Sequence, residues 1–244
     1  MQVGTALRHH IARNRFGQYC VPVESLHRPC ALTVLRGGVW EAATLKAIEA
    51  HYAGGDIVTG GTYFGDFLPC LARMANARGA RVWGFEPVTV NYLCASVTCG
   101  LNALTNCTLT HAGMGEKPGE LVMRTRDKKG RSLGGGARIA PGPKGAGGAA
   151  GGGAAGFDTV RILPIDAVVG ERPVGLIQLD TEGHEIAALQ GAAETIARCR
   201  PLLVLEGHGG ADLAAEPFLQ DLAARHGYRT IDRQDQNVFL AAGG

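Results

Sequence analysis

The sequence contains no apolar run approaching the roughly 20 residues that a bilayer-spanning helix needs, so no integral membrane segment is expected. Its basic start (Arg8, His9, His10, Arg13, Arg15) is not followed by the apolar stretch of a secretory signal, which points to a cytoplasmic chain. Paired Cys-x-x-Cys spacing is missing too. The seven cysteines (Cys20, Cys30, Cys70, Cys94, Cys99, Cys107 and Cys199) are odd in number and several lie in apolar runs, so they read as reduced core thiols, not a zinc site. Charge of one sign is not in excess. With 24 Lys and Arg against 22 Asp and Glu, the formal charge of +2 gives no field that argues for nucleic acid or an anionic membrane.

What is present is a chain of 244 residues, 45% of them hydrophobic, enough for one large core and therefore one main domain. Residues 1 to 50 are mixed and read as an N-terminal cap, with a helix-like piece from Trp40 to His51 carrying Leu45 and Ile48. Residues 51–244 form the expected domain. Asp56 to Thr59 is a buried strand, followed by Gly60-Gly61-Thr62-Tyr63-Phe64-Gly65 and a helix with Phe67, Leu68, Leu71 and Met74 on one face, stopping at Gly79. Strands follow at Arg81–Phe85, Thr108–His111, Val174–Leu179 and Leu202–Leu205. Helices are expected at Val90–Val97, over Ile186 to Ile196 as one piece, and around Phe218–Ala224. Tyr228–Ile231 and Asn237–Ala241 read as two closing strands.

This alternation predicts an α/β fold: a mainly parallel, doubly wound sheet with ligands at the carboxyl ends of its strands. One segment breaks the rhythm. Gly134 to Gly156 is dominated by Gly and Ala and cannot bury enough apolar surface to offset its ordering entropy, so a mobile, solvent-exposed insertion is expected there.

Four clusters carry candidate chemistry. Gly61 to Gly65 turns a strand into a helix whose free N–H groups favour electronegative ligands, although a tight structural turn would look the same. Glu86, at the tip of the next strand, can accept two hydrogen bonds from the hydroxyls of a ribose. Asp180-Thr-Glu182-Gly-His184-Glu185 opens a helix after a buried strand; Glu182 and Glu185 also suit a plain capping role. Glu206-Gly207-His208 ends the following strand, and His208 serves equally well as a surface histidine.

In order along the chain, Gly61-Thr-Tyr-Phe-Gly65-Asp66, Gly84-Phe85-Glu86-Pro87, Leu101-Asn102, Leu179-Asp180-Thr-Glu182-Gly183-His-Glu185, Leu189-Gln-Gly191-Ala192 and Leu205-Glu206 resemble the signatures of FkbM-type methyltransferases. The resemblance runs from about Gly55 to Ala241. It implies a Rossmann-like class I methyltransferase sheet with an antiparallel final strand, S-adenosylmethionine as cofactor, and O-methylation of a hydroxyl on a sugar, natural product or lipid-linked small molecule. The chain departs from the family at Thr59 and Tyr63, where an acid and an asparagine are common, which leaves the contacts to the methionine half of the cofactor unassigned.

The cofactor-binding set expected is therefore Gly61, Thr62, Tyr63, Phe64, Gly65, Glu86 and Asp180. Asp180, Glu182, His184 and His208 are the candidate catalytic residues. Asp180 and Glu206, at neighbouring strand ends, are alternatively candidates for holding a divalent metal. The partner expected is a small hydroxylated acceptor, with no nucleic acid, and homo-oligomer formation is left open. An NAD-dependent oxidoreductase is a competing reading, weakened by the incomplete G-x-G-x-x-G, and a non-catalytic domain for an adenosine ligand is another.

Overall fold

The computed structural model describes residues 7–140, 156–207 and 215–243. The chain enters through a hairpin of β1 (His9–Asn14) and β2 (Gly17–Pro22), then α1 (Pro29–Leu35) and α2 (Ala42–His51). Strand–helix units follow: β3 (Asp56–Gly60), α3 (Leu68–Asn76), β4 (Val82–Phe85), α4 (Thr89–Leu101) and β5 (Cys107–Thr110). Next come β6 (Gly113–Met114), β7 (Gly119–Arg124), β8 (Arg138–Ile139), β9 (Phe157–Leu163) and α5 (Ile165–Val169). The second half adds β10 (Val174–Leu179), α6 (Glu185–Gln190), α7 (Ala193–Cys199), β11 (Leu202–Glu206), α8 (Pro217–His226), β12 (Arg229–Gln234) and β13 (Asn237–Ala241).

The central sheet has seven strands in the order β12-β13-β11-β10-β3-β4-β5. The run from β11 to β5 is parallel, and β13 is inserted antiparallel between β11 and β12, as expected for the closing pair. Successive residues of the inner strands face opposite layers. Ile57, Leu176 and Val204 pack with α2 and α3, while Val58, Ile177 and Leu203 pack with α6, α7 and α8. Burial on both faces is why these strands read as continuous apolar runs.

Residues 7–50 are tied into this core. The β1–β2 hairpin docks on α4, where the Cys20 amide donates to Thr98 Oγ1 (3.0 Å) and the Gln18 amide to Asn102 Oδ1 (2.9 Å). Thr98 Oγ1 in turn donates to the Phe64 carbonyl (2.8 Å), linking hairpin, α4 and the glycine turn.

Three features differ from the sequence-based expectation. A second sheet, ordered β6-β9-β7-β8, lies between β5 and β10 and buries Met123, Val160 and Ile162. The helix expected from Ile186 to Ile196 is two helices broken at Gly191-Ala192. There the backbone passes so close to Gly115 that a Cβ on Gly191 would meet its carbonyl at 2.1 Å, and Asp166 caps α7 through the Glu194 and Thr195 amides (3.0 and 2.9 Å). The stretch expected to leave the domain at Gly134 begins inside it, since Gly134 and Gly136 form a buried 3-10 turn leading into β8. Residues 141–155 lie outside the described residues. Among the described residues, no helix is long and apolar enough to cross a membrane.

At the amino ends of the strands, Asp56 is 1% exposed and ties three segments together. It accepts from the Arg81 amide (3.0 Å), Trp83 Nε1 (2.9 Å) and the Arg172 guanidinium. Burial alone would raise its pKa, but the hydrogen bonds from Arg172, Trp83 and Arg81 outweigh it and hold the carboxyl below the ordinary aspartate range. Its contribution to stability is therefore complete near neutral pH and lost as pH falls through the folded-state pKa. Asp56→Ala is expected to destabilise the chain by about 2–4 kcal/mol in denaturant titration, because the Trp83 and Arg81 donors lose their acceptor. It should also flatten the acid limb of the stability curve; an unchanged acid limb would show that this carboxylate does not govern it.

Candidate active site

The glycine turn after β3 is shaped by a close approach. Gly61 has φ +76°, and a Cβ on it would lie 1.8 Å from the Asp180 carbonyl oxygen, so no side chain fits between the ends of β3 and β10. The Gly61 and Thr62 amides donate to the Phe85 carbonyl (3.1 and 3.2 Å), tying the turn to the end of β4. Tyr63 takes φ +49°, which turns its amide onto Glu86 Oε2 (2.8 Å).

Glu86 is 3% exposed and also accepts from the Val88 amide (2.9 Å) and Asn91 Nδ2 (3.4 Å). Burial pushes its pKa up to about 7, against the lowering effect of these bonds. It lies in a narrow slot of about 40 Å³ with Phe85, Val88, Met114, Met123 and Ile162 as apolar walls. His184 borders the same slot, and its pKa is lowered by burial.

Through Gly61, Gly135 and Asp180, which line both, the slot adjoins a wider chamber of about 290 Å³. The parallel pairing of Leu179 with Leu205 sets Asp180 beside Glu206. Carboxyl oxygens of Asp180, Glu182 and Glu206 lie within 4.8 Å of one another. Burial, followed by the hydrogen bond and charge of Glu206 and the charge of Glu182, raises the Asp180 pKa well above the ordinary range. Such a cluster can hold a proton near neutral pH, accept one from a substrate, or offer hard oxygen donors to a cation.

Glu185 plays the capping part. Its Oε1 accepts from the Thr181 amide (2.9 Å), Thr181 Oγ1 (3.0 Å) and the Gly183 amide (3.2 Å), closing the turn that presents Asp180 and Glu182.

Two of the residues expected to touch a cofactor do not line either cavity. Phe64 is fully buried edge-on to Tyr19, with ring centroids 6.5 Å apart, and belongs to the core beneath the hairpin. Gly65 is fitted against Leu68 and Thr98, whose side-chain atoms would lie 3.1–3.2 Å from a Cβ there, so its small size serves helix packing. His208 lies outside the described residues.

The chamber also takes residues outside the sequence-based set: Arg28, Cys30 and Glu41 from the N-terminal segment, Gln178 on β10 and, as its roof, Gly135-Gly136 of the 3-10 turn. Asp66, adjacent to the glycine turn, accepts from the Cys30 thiol (3.4 Å), and burial pushes its pKa up to about 7. Thr59 donates to Gln178 Oε1 across the β3–β10 pair. The Tyr63 ring lies under the roof, where a Cβ on Gly134 would meet its hydroxyl at 2.6 Å.

A seven-stranded sheet with an antiparallel strand next to one edge, and a cavity at the carboxyl ends of β3, β4, β10 and β11, defines a Rossmann-like class I methyltransferase. Residues 60–230 match the methyltransferase FkbM domain, and the chain belongs to that family. It is similar to the crystal structure of a methyltransferase FkbM from Methylobacillus flagellatus KT, at 21% identity and a TM-score of 0.52. That likeness covers 77% of this chain but 43% of the other, so the chain spans under half the length of that relative. A methyltransferase from Geobacter sulfurreducens aligns at 14% identity and a TM-score of 0.47, over 83% of this chain and 76% of that one. No curated protein matches the sequence.

Two predictions follow from this geometry. Gly61→Ala and Gly79→Ala both force alanine into positive φ, but Gly79 has nothing within 4 Å of its absent Cβ. Gly79→Ala should cost about 1–2 kcal/mol, the backbone penalty alone, and Gly61→Ala roughly 3 kcal/mol or more, since two strand ends must part; equal losses in denaturant titration would contradict the close approach.

The second concerns pH. Asp66 and Glu86 bind protons more tightly folded than unfolded, so their linkage makes stability fall as pH rises from the ordinary carboxyl range toward 7 and level off above it. The thermal midpoint should drop between pH 5 and about 7.5, and Asp66→Asn should shallow that drop. A midpoint rising over this interval would show that these carboxyls ionise freely.

Proposed function

We propose that the chain transfers the methyl group of S-adenosylmethionine to the hydroxyl oxygen of a small acceptor such as a sugar, natural product or lipid-linked molecule. The observation that carries this reading is the pairing of Glu86, in an apolar slot against the glycine turn, with a carboxyl-lined chamber opening from the same turn. The residues suit the cofactor. Glu86 accepts from ribose hydroxyls, the slot's apolar walls take the purine with the flexible Met114 and Met123 shifting to admit it, and Asp180 borders both cavities where the sulfonium would lie. When bound, the cofactor supplies an electrophilic methyl carbon and a neutral thioether leaving group.

The chain then has to align the acceptor, exclude water and take one proton. As the acceptor's oxygen forms its bond to carbon, its hydrogen passes to a carboxylate of the Asp180, Glu182 and Glu206 cluster. The raised pKa of Asp180 brings a base closer to neutral strength. His184, kept neutral by burial beside the slot, supports as a hydrogen-bonding group. The same carboxyl oxygens suit a divalent cation that would acidify the hydroxyl, and a chelator separates the two mechanisms. The reversed β13 and the family membership favour this reading over a nicotinamide-dependent oxidoreductase.

Calorimetric titration with S-adenosylhomocysteine and NAD tests the assignment directly. Glu86→Ala should weaken S-adenosylhomocysteine binding by about 1–3 kcal/mol, five- to 150-fold in Kd. With an acceptor in hand, Asp180→Asn should keep most cofactor affinity and lower turnover on the order of a hundredfold. Tight NAD binding, or wild-type affinity in a folded Glu86→Ala variant, would remove the cofactor placement. Full turnover in Asp180→Asn and Glu182→Gln alike would remove the site assignment.

A further inference from the structure

The chamber is lined by five carboxyl groups and, among the described residues, by a single basic side chain, Arg28. The geometry points to Arg28 as the group that binds the α-carboxylate of the cofactor's methionine half. This rests on the S-adenosylmethionine reading above and assigns the part of the cofactor which that reading leaves without a partner.

Arg28 precedes α1, whose first residue is Pro29, so its backbone is held extended (φ −86°, ψ 139°) at the mouth of the chamber. Its side chain runs beneath the roof. Cγ would lie 3.2 Å from a Cβ on Gly134, and Nη2 2.7 Å from a Cβ on Gly136. Two glycines in the roof thus leave the trough in which the arginine lies, and any larger residue at Gly136 would displace the guanidinium. Glu182 Oε1 is 3.3 Å from that same Gly136 position, which places the guanidinium beside the acid cluster and within the chamber shared with Asp180.

Charge decides what such an arginine is for. The methionine half of the cofactor is a zwitterion, and its ammonium can choose among five carboxyl groups. Its carboxylate is repelled by each of them that is ionised, and desolvating it without a cation would be costly. A planar guanidinium matches a carboxylate through two parallel hydrogen bonds and keeps its charge at any working pH. The competing role for Arg28, neutralising the acids of the chamber, makes no distinction between a ligand with a carboxylate and one without.

Three ligands separate these roles: S-adenosylhomocysteine, its decarboxylated analogue, which keeps the ammonium, and 5′-methylthioadenosine, which has no amino-acid tail. Each is titrated calorimetrically into wild type, Arg28→Ala and Arg28→Lys, with thermal midpoints checking the fold. Arg28→Ala should weaken S-adenosylhomocysteine roughly 10- to 100-fold while leaving the other two within about twofold, and Arg28→Lys should recover part of the loss. Equal weakening of S-adenosylhomocysteine and the decarboxylated analogue, or no weakening of either, would overturn the assignment while leaving the cofactor reading intact. If wild type binds neither S-adenosylhomocysteine nor methylthioadenosine, the cofactor reading fails and the Arg28 assignment falls with it.

Discussion

The site depends on the seam between β3 and β10. At its carboxyl end, Gly61 turns against the Asp180 carbonyl, and the Asp180 amide donates to the Gly60 carbonyl (3.1 Å). At its amino end, Gly175 passes so close to Gly54 that a Cβ there would sit 1.6 Å from the Gly54 carbonyl oxygen. Side chains are excluded at both ends of one strand pair, so the backbones approach each other directly there. From that fixed seam the turn reaches outward: Gly61 and Thr62 to β4, Tyr63 to Glu86, and Asp180 to Glu206 on β11. Backbone contacts along this seam therefore help set the positions of Glu86 and Asp180.

The carboxyl groups of the chain are handled in two opposite ways. At the amino ends of the strands, Asp56 is met by a guanidinium, an indole N–H and an amide, and stays ionised despite burial. At the carboxyl ends, Glu86 receives two amides and a side-chain amide, Asp66 a thiol, and Asp180 faces other acids. Among the described residues no cation offsets their desolvation to the same degree, and their pKa values rise. The acid with lowered pKa and the acids with raised pKa thus occupy opposite ends of one sheet, separated by the partners the chain provides rather than by residue type.

Much of the frame is legible in the sequence because inner parallel strands are apolar on both faces. Val174 to Leu179 and Leu202 to Leu205 cannot easily be anything else, and acids such as Glu86 and Asp180 at the ends of such runs stand out. The second sheet is harder to read, since Glu120, Arg124 and Arg161 interrupt its strands; even so, Val160 and Ile162 alternate with Thr159 and Arg161 at the period of a one-sided strand. Arg28 and Glu41 carry no local signal, because their place in the chamber comes from docking of the N-terminal segment, a contact between residues far apart in sequence. Gly134 to Gly136 mislead for a different reason. Composition alone reads three glycines as a segment with nothing to bury, whereas here their missing side chains make room for Tyr63 and Arg28 beneath them.

The roof is also joined to Glu86. Asn91, buried on α4, donates from Nδ2 to Glu86 Oε1 (3.4 Å) and to the Gly134 carbonyl (3.3 Å). An amide nitrogen has two hydrogens, so both bonds can be made at once, and the roof is held down by the same group that orients the acid beneath it. Tyr63 lies between them, its amide on Glu86 and its ring against Gly134 and Gly135. Lifting the roof away from the slot therefore breaks the Asn91 bond to Gly134 and uncovers the Tyr63 ring. A ligand entering between roof and strand ends must replace those contacts with hydrogen bonds of its own to Glu86 and apolar contact to the walls of the slot.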